Sequence, residues 1–367
     1  MKQKFNLDDN MGKSKRIFYY DLLRLMAIIG IIFCHTSVYY VIGDMGSFNF
    51  YISSFYDCLR DFSVPVFVML SGALLLNRKD SLIPFFKKRL SRILIPFIFW
   101  AAMYVIYSFI YIRKSAILED AINIFLGKGN TFGVIFWFVW MIIIVYIAIF
   151  IINKAVERFD LDKKFMDILA VLSVLFIILT DFHLLSVPFF PLLTYFASFV
   201  SYSIIGYFLS SNSFIFNRIS ANKSVLILFI SSLLLYSYYI CTFVVPQSML
   251  NRGFVYLGYF TVIILAISSL VFLLFKYLDR TEIMNRFKHS KYEHAVTSLS
   301  QYSYGIYLSH YLILHLLLLI LNPYLHITSF NSIIAIPVIV ALVFAVSVII
   351  LSTMDKIPVL NKFTGKK

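Results

Sequence analysis

Charge is scarce in this sequence. Only 14% of its 367 residues are Asp, Glu, Lys or Arg, where a soluble domain carries roughly 25%. With so much apolar residue, that shortage excludes a disordered chain and argues against a domain soluble on its own. Cysteine is nearly missing, and Cys34, Cys58 and Cys241 each lie in an apolar run. An odd number so placed provides neither a disulfide framework nor a zinc spacing. Glycine, at 13 residues, is far too sparse for a collagen repeat. The sequence has no P-loop, no dinucleotide glycine fingerprint, no zinc-protease helix and no Gly-x-Ser-x-Gly elbow. It also has no ladder of gating arginines. These absences argue against an ATP-driven pump, a metalloprotease and a voltage sensor. The closest histidine pairs, His289/His294 and His310/His315, are five apart, a poor spacing for two ligands on one helix face. No metal site and no permanently bound cofactor is expected.

What the chain has instead is apolar length. Hydrophobic residues make up 61% of it and aromatics 18%. They fall into runs long enough to cross a bilayer, which takes about 20 residues each. Ten runs are read, at about 17–41, 52–76, 92–112, 132–152, 165–181, 189–211, 224–245, 254–276, 299–321 and 330–353. The expected fold class is all-α, a polytopic membrane protein of about ten transmembrane helices. The first run is too long for a signal-peptide core and no small-residue cleavage site follows it, so it reads as a retained helix. With the N-terminus in the cytoplasm, 26 of the 32 Lys and Arg fall on that side, Arg24 and Arg60 lie inside spans, and only Arg113, Lys114, Lys128 and Arg252 face outward. Cytoplasmic loops collect cations, so both termini are expected inside. The net charge of +14 then calls for anionic lipid and not for nucleic acid. The organisation expected is a cytoplasmic basic segment at 1–16, a ten-helix membrane domain at 17–353 and a cytoplasmic basic tail at 354–367. No repeat, low-complexity tract or appended soluble domain is found.

An ionisable side chain inside a span costs roughly 2.5–3.5 kcal/mol on insertion scales, so it tends to face a bundle interior or a cavity. Such groups concentrate in the first, second and ninth runs. In the first, Asp21, Arg24, Ile28, Ile31 and His35 fall on one stripe at 3.6 residues per turn. Asp21 and Arg24, three apart, read either as a helix-end ion pair or as part of a site with His35. In the second run Asp57, Arg60 and Asp61 form a local ion cluster, either a lock between helices or a carboxylate support for His35. In the ninth, Ser303, Tyr307 and His310 share a face; His310 is an interhelical hydrogen bond or a cavity residue, while His315 points elsewhere. The loop Lys87-Lys88-Arg89-Leu90-Ser91-Arg92 puts guanidinium forks at the inner surface, which suits phosphate oxygens or simply follows the positive-inside rule. Trp137 and Trp140 read as interfacial anchors, with sugar stacking as the alternative.

In chain order the motifs are Asp21-Leu22-Leu23-Arg24 with His35, then Val64-Pro65-Val66-Phe67 followed by Leu70-Ser71-Gly72. Arg89-x-x-Arg92 with Pro96 follows, and then Ser303-Tyr304-Gly305-Ile306-Tyr307-Leu308 with His310. Together they resemble the acyltransferase 3 family of integral-membrane enzymes that modify surface glycans. The resemblance covers most of the chain. It breaks just before Trp137, where Ile135-Phe136 stand in place of the His or similar polar group of many relatives.

The resemblance implies acyl-CoA, usually acetyl-CoA, as co-substrate and a hydroxyl of a glycan or lipid-linked sugar as acceptor. Such a chain is expected in a bacterial cytoplasmic membrane. His35 is the candidate base, since His is the usual choice for an attacking hydroxyl. Arg24, Asp21, Asp57 and Asp61 complete the candidate catalytic set. Lys88, Arg89 and Arg92 are the candidate donor-binding cations. Arg60, Ser71, Trp137, Tyr307 and His310 are expected to line the substrate cavity. A secondary transporter or polysaccharide exporter is the rival, because short loops and intramembrane charges suit it too. Pro65 reads as the only clear mid-span proline and lacks the counterpart a broken-helix carrier would show. A structural subunit of a glycan-synthesis complex is the third reading.

Overall fold

The computed structural model describes residues 16–41, 46–111, 117–128, 132–182, 191–212, 219–246, 261–288, 290–325 and 330–366. The segment 1–15, the expected outer cations Arg113, Lys114 and Arg252, and His289 lie outside them. Every regular element among the described residues is helical. The helices are α1 (Phe18–Val41), α2 (Phe48–Asp57), α3 (Leu59–Leu75), α4 (Leu82–Tyr111), α5 (Ile117–Leu126), α6 (Trp137–Arg158) and α7 (Lys163–Asp181). They continue as α8 (Pro191–Ser211), α9 (Ala221–Tyr239), α10 (Val262–Leu278), α11 (Glu282–Lys288), α12 (Lys291–Gln301), α13 (Ser303–Leu325) and α14 (Ser332–Asp355). Eight spans among the described residues are long and apolar enough to cross a bilayer, and nine if α10 and α11, bent by 71°, count as one. The remaining expected run, 165–181, is the helix α7, which carries Lys163, Lys164, Asp167 and Asp181 within only 19 residues. The chain is an all-α polytopic membrane protein.

Two boundaries differ from the sequence reading, and both concern charge. Helix α4 starts at Leu82, so the basic stretch Lys87–Arg92 is not a loop but the helix's own first turns. Thirty residues extend about 45 Å against a hydrocarbon core of about 30 Å. The first turns therefore have room to stand beyond the lipid, where lysine and arginine cost little. Pro84 fits there because a first-turn N–H has no helical partner to lose. Pro96 then falls mid-helix, and Pro337 lies inside α14, so Pro65 is not the sole proline within a span. The second expected run is broken at Cys58 into α2 and α3. Asp61 falls in the first turn of α3, where the unpaired N–H groups and helix dipole favour a carboxylate.

Helix α1 packs against α2, α3, α12, α13 and α14. Helices α3 and α8 make a close crossing that depends on two glycines. A Cβ on Gly72 would strike the carbonyl oxygen of Ser203, and one on Gly206 the backbone of Met69. In lipid, where no hydrophobic force separates helix from solvent, such close backbone approach is what holds helices together. Beyond α14 the chain turns back under the bundle. Trp100 Nε1 donates to the Phe363 carbonyl at 3.2 Å, Phe363 stacks on Phe99 at 4.6 Å, and Thr364 is fully buried. Within the expected tail at 354–367, Phe363, Thr364 and Gly365 thus pack against the bundle while Lys356, Lys362 and Lys366 stay exposed.

Candidate active site

One cavity of about 710 Å³ runs between α1, α3, α4, α6 and α13, within the size range of small-molecule sites. Helical spacing explains its walls. Arg24, Ile31 and His35 come from the single stripe of α1. The α3 wall repeats at 60, 64, 67, 71 and 74 on one face with Arg60 at its start, and Arg78 joins the cavity from the turn after the helix, where Leu76 is extended and Asn77 is left-handed at φ 61°. Phe138, Ile142 and Tyr146 stand four apart on α6, and Ser303, Tyr304 and Tyr307 line the start of α13. Arg24 and His35 are eleven residues apart, about 16 Å along the helix.

Cations line this cavity and carboxylates do not: Arg24, Arg60, Arg78, Lys88, Arg89 and Arg92 contribute to the wall, and no Asp or Glu does among the described residues. At one end Arg78, Lys88 and Arg92 are exposed, marking the mouth. Arg89 is partly engaged, with Nη2 at 3.3 Å from Asp80 and its guanidinium 4.1 Å above the Phe85 ring. Gly365, in a left-handed turn at φ 66°, reaches the cavity from the segment after α14.

The deeper charges are held from behind. Asp21 is fully buried outside the cavity and receives Arg24 at 2.7 Å, Arg16 at 2.6 Å and the Ser300 hydroxyl at 2.9 Å. It ties α1 to α12 and aims Arg24 at the cavity. Arg60 is gripped by Asp57 at 3.2 Å and by Asp61 at 3.4 Å. Asp57 also accepts a contact from Cys34 Sγ at 3.4 Å, and Asp61 a hydrogen bond from the Tyr239 hydroxyl at 3.0 Å. These carboxylates thus support Arg60; no hydrogen bond to His35 from either is found among the described residues. His35 instead has the ring of Tyr311 at 4.9 Å and that of His310 at 5.2 Å.

Of the residues singled out from sequence, His35, Arg24, Arg60, Ser71, Lys88, Arg89, Arg92, Trp137 and Tyr307 line the one cavity. Asp21, Asp57, Asp61 and His310 stand just behind its wall. The tyrosine of the ninth run has a specific role: Tyr307 donates to the carbonyl oxygen of Ile135, so a backbone acceptor serves its hydroxyl. Sequence reasoning missed Arg78, Tyr146, Tyr304 and Gly365. Arg78 gave no helical signal, because the chain leaves the helix at Leu76 and turns through Asn77 before reaching it. His315 is also better connected than expected, its Nε2 lying 3.0 Å from the Tyr39 hydroxyl.

A helical membrane bundle around an arginine-lined cavity with a histidine at its inner end defines a polytopic membrane protein with an enzyme-like interior. Residues 17–352, nearly the whole chain, match the family model described as an acyltransferase domain, and the chain belongs to the acyltransferase 3 family. It is a membrane acyltransferase. Comparison with curated proteins and with solved structures gave no match.

Proposed function

We propose that this enzyme transfers an acyl group, in the simplest case acetyl, from acyl-CoA to a hydroxyl of a cell-envelope carbohydrate or its lipid-linked precursor. The observation that carries the proposal is one continuous cavity joining an exposed cluster of cations to His35, with no carboxylate on its wall among the described residues. CoA is a phosphate-bearing anion whose reactive thioester sits at the end of a long arm. Guanidinium forks suit its phosphates, so Arg78, Lys88, Arg89 and Arg92 take that end at the mouth. The arm passes Arg24, and the thioester comes to lie beside His35. His35 removes the acceptor's hydroxyl proton as the oxygen attacks the thioester carbon. The C–S bond breaks and the proton passes to the CoA sulfur. Arg60 supplies positive charge at that end for the developing oxyanion. The mouth faces the cytoplasm in this reading, by the bias of Lys and Arg toward one set of loops, and the membrane is a bacterial cytoplasmic membrane.

The test is transfer of label from radiolabelled acetyl-CoA to bacterial glycan by membranes holding wild type or His35→Ala at equal inserted amounts. Label moving with wild type, and at least roughly 100-fold more slowly with the variant, is the expected outcome. Full activity in His35→Ala removes His35 from the chemistry. No transfer by wild type with any acyl chain or glycan supplied favours transport of a polysaccharide instead.

A further inference from the structure

His310 is fully buried on α13, just behind the cavity wall. Its Nδ1 lies 2.7 Å from the carbonyl oxygen of Tyr307 and 3.1 Å from that of Ile306. A carbonyl only accepts, so Nδ1 carries a hydrogen and donates it. In the neutral ring Nε2 is then the acceptor, and it is buried with no hydrogen-bond partner among the described residues. An unmet buried acceptor is costly, and native structures keep few of them. The His35 ring lies beside it, 5.2 Å between centroids and tilted by 42°. Two imidazoles joined by one N–H···N bond near 2.9 Å have centres about 5 Å apart, and the two rings stand at that separation. The carboxylates that might serve His35 instead, Asp57 and Asp61, are committed to Arg60, Cys34 and Tyr239.

We propose that His310 is the positioning residue of His35: its Nε2 receives one N–H of the His35 ring and leaves the other nitrogen, on the cavity side, with a lone pair. The proposal rests on the acyl-transfer reading above. In the reaction the acceptor O–H bond breaks and its proton goes to the cavity-side nitrogen. The C–O bond forms at the thioester carbon, the C–S bond breaks, and His35 returns the proton to the CoA sulfur. While His35 carries the extra proton, His310 holds the ring through the opposite N–H and shares its charge. A carboxylate does this in Ser-His-Asp enzymes. Inside a bilayer a neutral imidazole does it without a further buried charge, which is the expensive element there.

The test compares wild type, His310→Gln and His310→Leu in membranes matched for inserted protein, with labelled acetyl-CoA and bacterial glycan. Gln keeps an acceptor oxygen near the lost Nε2 and Leu removes it. The expected result is kcat lowered roughly 100-fold in His310→Leu and restored to within about tenfold of wild type in His310→Gln, with KM for acetyl-CoA unchanged in both. Equal kcat losses in the two variants, or a loss carried by KM, overturn the proposal. Nitrogen NMR of histidine-labelled protein gives a readout independent of activity. It is expected to show a neutral His310 with its hydrogen on Nδ1, and a His35 signal that moves in His310→Leu. A hydrogen on His310 Nε2, or a His35 signal indifferent to the substitution, overturns the pairing. If wild type moves no label, the acyl-transfer reading fails, and the nitrogen spectra still decide whether the two rings are paired.

Discussion

At the mouth of the cavity Arg78, Lys88 and Arg92 are exposed and have no carboxylate partner among the described residues. At the His35 end Arg60 is held by two carboxylates that are themselves almost wholly buried. The sign of the charge is the same; the way it is kept differs. Water stabilises an exposed guanidinium at little cost, so the mouth's cations remain available to an incoming anion. A cation within the bundle has no water to fall back on and needs fixed counter-charge. The mouth is arranged to exchange partners and the inner end to keep them. Arg24 lies between, lining the cavity while paired with the buried Asp21.

The largest effect should come from breaking the inner arrangement. Replacing both Asp57 and Asp61 by Ala leaves Arg60 without its counter-charges and the Tyr239 hydroxyl without its acceptor. Removing the partners of a buried charge costs about 3–5 kcal/mol, enough to lower the melting temperature of the detergent-solubilised protein by many degrees. Adding Arg60→Leu should recover much of the loss, because no charge is then stranded. The triple variant's melting temperature checks this: if it is no higher than that of the double variant, the carboxylates hold the fold by some route other than Arg60.

The mouth should respond differently. Lys88→Ala with Arg92→Ala is expected to leave the melting temperature within about 1 °C, since exposed substitutions of this kind stay within roughly 0.5 kcal/mol. It should raise KM for acetyl-CoA, by roughly tenfold if each cation makes one charge-assisted contact to phosphate. The KM of wild type should rise with salt, as interactions at the surface are screened over about 8–10 Å, and that of the double variant should rise less. Equal salt dependence in the two proteins would place the donor's phosphates elsewhere.

How much of this was legible depended on whether the information lay along one helix or between helices. Arg24, Ile31 and His35 could be aligned from spacing alone, because a regular helix carries its face along the sequence. Arg78 does not follow this rule: α3 ends at Leu75, and a left-handed turn at Asn77 carries Arg78 to the cavity. The start of α4 is hidden in the sequence: lysines and arginines read as the end of a span, although a helix longer than the bilayer carries them beyond the lipid. The placement of His310 beside His35 joins residues far apart in sequence, and no periodicity within either helix reports it. The packing of Phe363 on Phe99 and of Thr364 against Gly305 was equally invisible, since a short polar and basic stretch reads as a tail whether or not it is packed.

The segment after α14 gives the smallest prediction and tests how far the contrast between exposed and buried charge extends. Lys366 pairs with Asp355 at the edge of the mouth, and both side chains are partly exposed. The hydrogen bond to Asp355 raises the Lys366 ammonium above its ordinary value. A cation whose value is raised by folding adds stability while it is protonated, below the ordinary lysine range near 10.4, and loses it as pH climbs through the raised folded value. An exposed pair of this kind is worth about 0–1 kcal/mol. Lys366→Met should therefore melt within a few degrees of wild type at pH 8, with the difference vanishing in strong alkali. A larger loss, of the size expected for Arg60's partners, would mean that this ion pair fastens the segment beneath the cavity. A negligible one leaves that task to the buried Thr364, the Phe363–Phe99 stack and the Trp100 hydrogen bond, which depend on packing and not on charge.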